Sequence, residues 1–268
     1  MTLRKATIGL LALSVALNLV GIGFLATVGH PPALLTPLTT LVTFAFAVLH
    51  AGGSLGWRRG IGPLVIVAVT GLAFESIGVA TGAVYGPYHY TAKLGPKFLD
   101  LVPFLIPVAW FMMIYLSFRI ANDLADRWGL RGFWQDLAAA GLGAVAMTAC
   151  DLAMDPMMVA AGHWVWEKPG PYFGIPLQNF WGWWLTTFTA LGLYGLLQRW
   201  LGGRNRPLMT SAMPVIAYAA MGASTIAADF LIGLGGPGMV GIFAMLPWIG
   251  VGLSPNPQTR STISSEKI

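Results

Sequence analysis

Four acidic residues lie inside or at the ends of long apolar stretches of this sequence: Glu75, Asp151, Asp155 and Asp229. A carboxylate at membrane depth is costly unless it is paired, protonated or turned toward a polar cavity, so each is a candidate functional residue. Asp151 and Asp155 are four residues apart and therefore share one face of a helix. Two carboxylates this close cannot both ionise cheaply in a low-dielectric site, so we expect one to stay protonated near neutral pH. Such a buried, proton-holding group is suited to general acid catalysis.

Two of these acids open a repeated phrase. Glu75 begins Glu75-Ser-Ile-Gly-Val-Ala-Thr-Gly82, and Asp155 begins Asp155-Pro-Met-Met-Val-Ala-Ala-Gly162. Each phrase leads into a loop rich in aromatic residues and proline. The recurrence predicts a duplicated helical hairpin, with repeat units at about 61–120 and 134–200 and a cavity between them near the outer half of the membrane.

Polar and aromatic side chains around the two loops are candidates for binding a substrate. They are Tyr85, Tyr88, His89, Tyr90, His163, Trp164, Trp166, Tyr172, Asn179, Trp181 and Asp229. Several alternatives stay open: aromatic residues favour membrane interfaces whatever their function, loop histidines are often merely solvated, and Asp229 could simply end a helix. Asp151 could instead serve a helix kink at Pro156. Interface preference does not account for acids at matched positions, nor for five tryptophans within residues 164–184.

The composition is that of an integral membrane protein, because 56% of the residues are hydrophobic and only 9% are charged, against roughly a quarter charged in soluble domains. We predict an all-α, polytopic transmembrane helix bundle of about eight spans, with seven possible, in a single domain over residues 1–254. A polar tail, 255–268, is expected to be disordered and cytoplasmic. The predicted spans are 7–28, 34–56, 61–85, 100–120, 134–158, 178–200, 208–232 and 237–254.

The basic residues indicate the orientation of the chain. With the N-terminus inside, the inner segments hold twelve lysines and arginines and the outer segments three, as the positive-inside rule requires. We therefore expect a multi-pass protein of the cell membrane with both termini cytoplasmic. The net charge of +5 reflects this topology and gives no reason to expect nucleic acid binding. A single cysteine, Cys150, and four scattered histidines indicate neither a disulfide framework nor a metal cluster.

Segments 75–107 and 151–184 resemble the carotenoid biosynthesis proteins that hydrate acyclic carotenoid ends. That family includes bacterial carotenoid C-1′,2′ hydratases and the haloarchaeal bisanhydrobacterioruberin hydratase, and it is distantly similar to small helical membrane lycopene cyclases. The resemblance covers about residues 35–250 and is densest in the two loops. It implies a carotenoid substrate dissolved in the bilayer, contact with membrane lipid and with other carotenoid biosynthesis enzymes, and neither a redox cofactor nor a metal.

The reaction that this resemblance implies is hydration of a terminal double bond, with Glu75, Asp151 and Asp155 as catalytic residues. The proton could come from Asp155 or Glu75, while Asp151 tunes the acid or takes the final proton. Electron-rich rings, among them Trp164 and Tyr85, could stabilise the carbocation. Two other functions stay open. A carotenoid cyclase would capture the same cation with the chain's own double bond, and a proton-coupled transporter would also place acids in repeated helices.

Overall fold

A computed structural model describes residues 2–201 and 212–254 of the chain. Its eight α-helices are α1 (Leu3–Val28), α2 (Leu35–Leu55), α3 (Trp57–Thr81), α4 (Leu105–Arg127), α5 (Phe133–Ala160), α6 (Leu177–Leu201), α7 (Ala212–Leu231) and α8 (Gly235–Leu253). Four short strands lie in the connections: β1 (Tyr88–Tyr90), β2 (Lys97–Phe98), β3 (Val102–Pro103) and β4 (Trp164–Trp166). The predicted all-α helix bundle is confirmed, and the predicted tail 255–268 lies outside the described residues.

Seven of the helices in the described residues are long and apolar enough to cross a membrane, which makes the chain a multi-pass membrane protein. Helix α6 is the exception, although its 25 residues give it sufficient length. Its apolar character is diluted by polar side chains such as Asn179, Thr186 and Thr187, all of which are buried. Helix α6 therefore depends on its neighbours to cover these groups.

The fourth span begins and ends later in the chain than the predicted range 100–120, because α4 runs over Leu105–Arg127. Residues Leu99 and Asp100 have positive φ angles of 49° and 57° and form the turn between β2 and β3, so the chain is not yet helical there. At its other end α4 continues to Arg127. Arg119 and Asp123, one helical turn apart, form an ion pair at 3.5 Å that supports this extension.

The two helices that carry the repeated acids enclose a common interior. Helices α3 and α5 each pack against both α4 and α6. Helix α4 is buried over most of its length, because α2, α7 and α8 also pack against it. Helix α1 packs against α2 and α7 at the edge of the bundle. The interior between α3, α4, α5 and α6 is thus closed by helices on its sides.

The two repeated phrases fold alike and then join. Gly82 follows α3 with a φ of 69°, and Gly162 follows α5 with a φ of 70°, a left-handed conformation that glycine adopts without steric cost. Each glycine leads to a strand, and β1 pairs antiparallel with β4 in a two-stranded sheet. The duplicated hairpin itself stays a prediction. The two-stranded sheet closes one end of the four-helix interior, where Tyr88, Tyr90, Trp164 and Trp166 line the enclosed cavity.

Candidate active site

Glu75 is buried in α3 and accepts three hydrogen bonds from side chains of other elements. The indole Nε1 of Trp110, on α4, donates to Oε1 at 2.8 Å. The hydroxyl of Tyr90 donates to Oε2 at 2.8 Å, and the hydroxyl of Tyr88 donates to the same oxygen. Successive side chains of a strand point to opposite faces, so Tyr88 and Tyr90 of β1 turn inward together while His89 turns outward.

Asp151 and Asp155, both buried on α5, are bridged by one amide of α6. The Nδ2 group of Asn179 donates to Oδ2 of Asp155 at 2.7 Å and to Oδ2 of Asp151 at 2.9 Å. The other oxygen of Asp155 accepts a bond of 2.6 Å from the indole of Trp164. The Oδ1 atom of Asp151 has no hydrogen-bond partner within the part of the chain that the structure describes.

Helix α5 is interrupted directly beside these carboxyls. Pro156 has no backbone N–H, so the carbonyl of Leu152, four residues earlier, loses its helical hydrogen bond. The hydroxyl of Tyr172 donates to this carbonyl at 2.7 Å. Tyr172 belongs to the loop after β4, so a loop residue completes the hydrogen bonding of the helix that carries the acid pair.

Glu75 and Asp155 line one cavity of about 70 Å³ from opposite helices. The cavity has room for a few water molecules, since one water in the liquid occupies about 30 Å³. Most of the remaining wall is aromatic or apolar. It consists of Tyr85, Tyr88, Tyr90, Ile106, Ala109, Trp110, Met113, Met154, Met158, Trp164, Trp166, Asn179 and Trp183.

Two glycines make space for the Tyr85 ring in this wall. A Cβ atom on Gly78 of α3 would lie 2.6 Å from the ring, and a Cβ on Gly182 of α6 would lie 2.5 Å from it. The Tyr85 hydroxyl shares a hydrogen bond of 2.8 Å with the hydroxyl of Thr186 on α6. Tyr85 is therefore clamped between the two helices and fixes part of the cavity wall.

The tyrosines that face Glu75 are held as neutral phenols. Burial, and after it the negative charge of Glu75, raises the pKa of Tyr88 and of Tyr90 well above the usual value. Both hydroxyls therefore keep their protons and remain available as donors. Within residues 2–201 and 212–254, no group of three or more His, Cys, Asp or Glu side chains is placed to hold a metal ion.

Comparison with known proteins identifies the family. A family model described as "Carotenoid biosynthesis protein" matches residues 35–247, which is most of the chain. The chain belongs to the carotenoid biosynthesis protein family. Among curated proteins, the bisanhydrobacterioruberin hydratase of Haloarcula japonica is 34% identical over 137 residues, which are 51% of this chain and 45% of that relative. The match thus spans less than half of the relative's length, and no solved structure matches the chain.

The structure of this carotenoid biosynthesis protein brings most of the predicted site residues together. Those that line the cavity are Glu75, Tyr85, Tyr88, Tyr90, Asp155, Trp164, Trp166 and Asn179. Asp151 joins them through the shared amide of Asn179 rather than by lining the cavity. The roles of these residues in catalysis or substrate binding stay predictions.

Two predicted substrate contacts lie away from the cavity of the carotenoid biosynthesis protein. His89 is exposed on the outer face of β1, where its Nδ1 lies 3.6 Å from Oε1 of Glu167. Trp181 is 60% exposed and stacks on Trp184 with the ring centres 5.0 Å apart. These two predictions differ from the structure because each side chain lies on the outward face of its strand or helix. Position in the sequence alone does not show which face of an element points inward.

Three further predicted residues do not line the cavity. Tyr172 supports α5, as described above. His163 follows Gly162, and its buried Nδ1 has no hydrogen-bond partner among the described residues. Burial, and after it the positive charge of Lys93, lowers the pKa of His163. Asp229 is fully buried on α7, and both of its carboxyl oxygens are also without a partner among the described residues.

Sequence reasoning missed Trp110 and Trp183, whose rings lie 4.5 Å apart in the cavity wall. Neither stands in an acid-bearing phrase or in a loop strand. For Trp110 a signal existed, because it lies near the start of the helix that returns from the first aromatic loop. Three methionines of the wall, Met113, Met154 and Met158, carried no signal, because methionine is common in any apolar helix.

Proposed function

We propose that this protein adds water to the terminal (ψ-end) double bond of an acyclic or monocyclic carotenoid, giving a tertiary alcohol. It would then be a carotenoid hydratase, a hydro-lyase. The observation that carries this proposal is a cavity with largely aromatic walls, which Glu75 and Asp155 line from opposite helices. Membership of the family supports a carotenoid as the substrate, and the name of the hydratase relative supports water addition.

The acid in this mechanism is Asp155, paired with Asp151. Two carboxyl groups held close together can share one proton, because like charges at short distance do not both ionise, and the protonated group is a proton donor. Asn179 holds the two carboxyls in register by donating to both. Transfer of the proton from Asp155 to the terminal alkene forms a C–H bond, breaks the π bond and leaves a tertiary carbocation on the neighbouring carbon.

The base in this mechanism is Glu75. Three donors surround its carboxyl group, and one of them, the Trp110 indole, can only donate. Glu75 is thereby oriented as an acceptor. A water molecule in the cavity attacks the cation, a C–O bond forms, and the released proton passes to Glu75. The rings of the wall, such as Trp164 and Trp183, stabilise the cation by cation–π attraction of about 2 kcal/mol each in a dry site.

The carotenoid would reach the cavity sideways from the bilayer. The cavity is too small for the end of a polyene, so the wall must move when the substrate binds. Four wall residues are partly exposed: Ala109 on α4, Met154 and Met158 on α5, and Trp183 on α6, so three of the four lie on α4 and α5 and two of these are methionines. Methionine side chains are flexible and adapt to ligands. We therefore place the access route between α4 and α5.

The orientation that fits this reaction is the one that the charges predict. Both termini would be cytoplasmic, and the strands β1 and β4 would lie on the outer side of the cell membrane. Twelve basic residues in the inner segments against three in the outer segments support this arrangement.

The direct test is product analysis. The chain is expressed in a bacterium that accumulates lycopene or γ-carotene, and the pigments are separated by liquid chromatography with mass detection. Hydration predicts a more polar pigment heavier by one water. An isomer of unchanged mass would instead establish cyclisation. Unaltered pigment, with the protein shown to be in the membrane, would contradict hydration of these carotenoids and favour the transporter. The same host without the chain is the control.

A further inference from the structure

The indole N–H of Trp166 is a polar group of the cavity wall that the mechanism described so far does not use. We propose that this N–H binds the water molecule that attacks the carbocation, and that Trp166 thereby decides whether the cation is hydrated. The inference deepens the proposed hydratase function and rests on it. It assigns a water-binding and specificity-determining role to a residue that lines the same cavity as Glu75 and Asp155.

Strand β4 turns Trp166 into the cavity. Trp164 and Trp166 are two residues apart, so they share one face of the strand, and both are buried. Trp166 pairs with Tyr88 across the sheet, and the backbone N–H of Glu167 donates to the carbonyl of Pro87 at 2.9 Å. The pairing with β1 therefore fixes the backbone from which the Trp166 ring projects.

The N–H of Trp166 differs from two other indole groups of the wall. The indole of Trp164 donates to Asp155 at 2.6 Å, and that of Trp110 donates to Glu75 at 2.8 Å. Trp166 is only 7% exposed, yet its buried Nε1 has no hydrogen-bond partner among the described residues. An indole N–H can only donate, and a buried donor without an acceptor is costly. A water molecule is an acceptor for which the cavity has room.

Trp166 adjoins the surroundings of both acids. Its Nε1 lies near the Asp155 carboxyl but does not meet the geometry of a hydrogen bond with it. The centre of its ring lies 5.0 Å from that of Tyr88, whose hydroxyl donates to Glu75. Water commonly bridges a polar contact that is too long for a direct hydrogen bond. A water on this N–H therefore lies beside Asp155, in the space that Glu75 also lines.

A water molecule held in this way is able to react. Its oxygen has two lone pairs, so one accepts the N–H of Trp166 while the other is available to the cation. Attack forms the C–O bond with this second pair and breaks one O–H bond of the water. The released proton passes to Glu75, and the proton on carbon has come from Asp155. The sum is the addition of one water to the double bond.

The cation has two other fates when no water is held beside it. It can lose a proton and return to an alkene, or the chain's own double bond can capture it and close a ring. The aromatic wall stabilises the cation on all of these routes, so the rings alone do not decide the outcome. A bound water decides it, because it places an oxygen next to the cation as the cation forms. Trp166 thus sets the product rather than the formation of the cation.

Deuterium incorporation tests this role. The wild type and Trp166→Phe are placed in lipid nanodiscs with an acyclic carotenoid in deuterium oxide, and mass detection distinguishes two outcomes. Hydrated carotenoid reports cations captured by water. Unhydrated carotenoid that has gained deuterium reports cations that lost a proton or closed a ring instead. In Trp166→Phe the ratio of the first to the second should fall by about tenfold, the size expected for one lost hydrogen bond.

Trp164→Phe is the matched control. It makes the same substitution on the same face of β4, but the N–H that it removes donates directly to Asp155. It should lower both outcomes together and leave their ratio at the wild-type value. Replacement of Trp166 by benzothienylalanine, in which sulfur takes the place of the N–H, keeps the fused ring. This replacement should lower the ratio as Trp166→Phe does, and it decides the question if Trp166→Phe does not accumulate.

The water site is refuted if the ratio in the Trp166 variants equals that of the wild type. A merely structural role gives this result, because it lowers both outcomes alike. A wild type that yields no hydrated carotenoid would overturn the hydratase proposal itself. Hydration by the wild type, with an unchanged ratio in the variants, would remove only the role of Trp166.

Discussion

Glu75 and Asp155 hold equivalent positions in the two repeats, but the structure surrounds them with different donors. The strand after the first acid turns two tyrosines inward, and the strand after the second turns two tryptophans inward. Glu75 therefore receives two hydroxyls in addition to an indole, whereas Asp155 receives an indole and an amide shared with Asp151. This asymmetry is the basis for assigning the acid to one repeat and the base to the other.

The first prediction concerns these two carboxyls. Asp155→Asn and Glu75→Gln keep the shape of the side chain but remove the exchangeable proton or the charge. Each should lower the hydration rate by at least about 100-fold, the range of general acid–base catalysis. Product per unit of membrane-inserted protein is the measurement. Asp136→Asn is the control. The Asp136 carboxyl forms an ion pair of 2.8 Å with Arg199, and neither residue lines the cavity. Full activity in both site variants would refute acid–base catalysis by this pair.

The second prediction concerns His163. Its pKa is lowered in the folded protein, so below about pH 6.5 the unfolded chain binds more protons than the folded one. The contribution of His163 to stability is complete above about pH 6.5 and is lost as the pH falls below that value. The Tm of His163→Gln in detergent should therefore fall less between about pH 7.5 and about pH 5.5 than the Tm of the wild type does. His89→Gln, at an exposed position, is the control, and equal losses in wild type and His163→Gln would contradict the prediction.

At the scale of elements, the cavity depends on close approach of α3, α6 and the start of the loop that follows α3. Gly78 and Gly182 allow this approach, because only a hydrogen atom projects toward the Tyr85 ring from each side. The strands then determine which loop side chains point into the cavity. Two features thus set the positions of four aromatic residues of the wall. They are the left-handed glycines that follow α3 and α5, and the antiparallel pairing of β1 with β4.

The third prediction tests this packing. In Gly182→Ala the new Cβ atom would lie 2.5 Å from the Tyr85 ring and 2.7 Å from the carbonyl oxygen of Val84, so the loop must shift. We expect a destabilisation of about 1–3 kcal/mol, as for other overpacked sites, and a loss of activity. Gly192→Ala on the same helix is the control, because no atom lies within 4 Å of its Cβ position. Equal Tm values for the two variants would contradict the clamp.

At the scale of the whole molecule, the proposed chemistry depends on how the chain crosses the membrane. The paired strands β1 and β4 and the ends of the helices that carry Glu75 and Asp155 lie toward one side of the bundle. If the charges orient the chain as proposed, that side faces outward, and protons and water reach the site from there. The same orientation leaves the inner ends of α4 and α5, with Arg127 and Arg131, in the cytoplasm.

The fourth prediction tests the orientation by thiol labelling in intact cells. The native Cys150 is buried, so the background should be low. Lys168→Cys, at an exposed position between β4 and α6, should react with a membrane-impermeant maleimide. Trp128→Cys, which is exposed after α4, should react only after the cells are opened. Reversed labelling of the two positions would show that the termini lie outside.

The sequence alone determined the class of molecule and the identity of its acids. Composition and span length are local properties, so the eight helices could be predicted even though the bounds of α4 could not. Glu75 and Asp155 were recognisable because a carboxyl in an apolar stretch is costly wherever the helix packs. The repeated phrase and the resemblance to the carotenoid biosynthesis proteins also needed no structure, and the family was confirmed.

Only the tertiary structure decided which side chains meet. His89 and Trp181 turned outward, while Trp110 and Trp183 entered the wall from helices that carry none of the candidate catalytic acids. The Tyr172 hydroxyl donates to the carbonyl of Leu152, which lies 20 residues earlier in the chain and which Pro156 leaves without a helical partner. These outcomes depend on the rotation and height of each helix, which are set by packing against several neighbours at once. The sequence of one helix or strand does not contain that information, because a side chain points inward only when other helices or strands pack against its face.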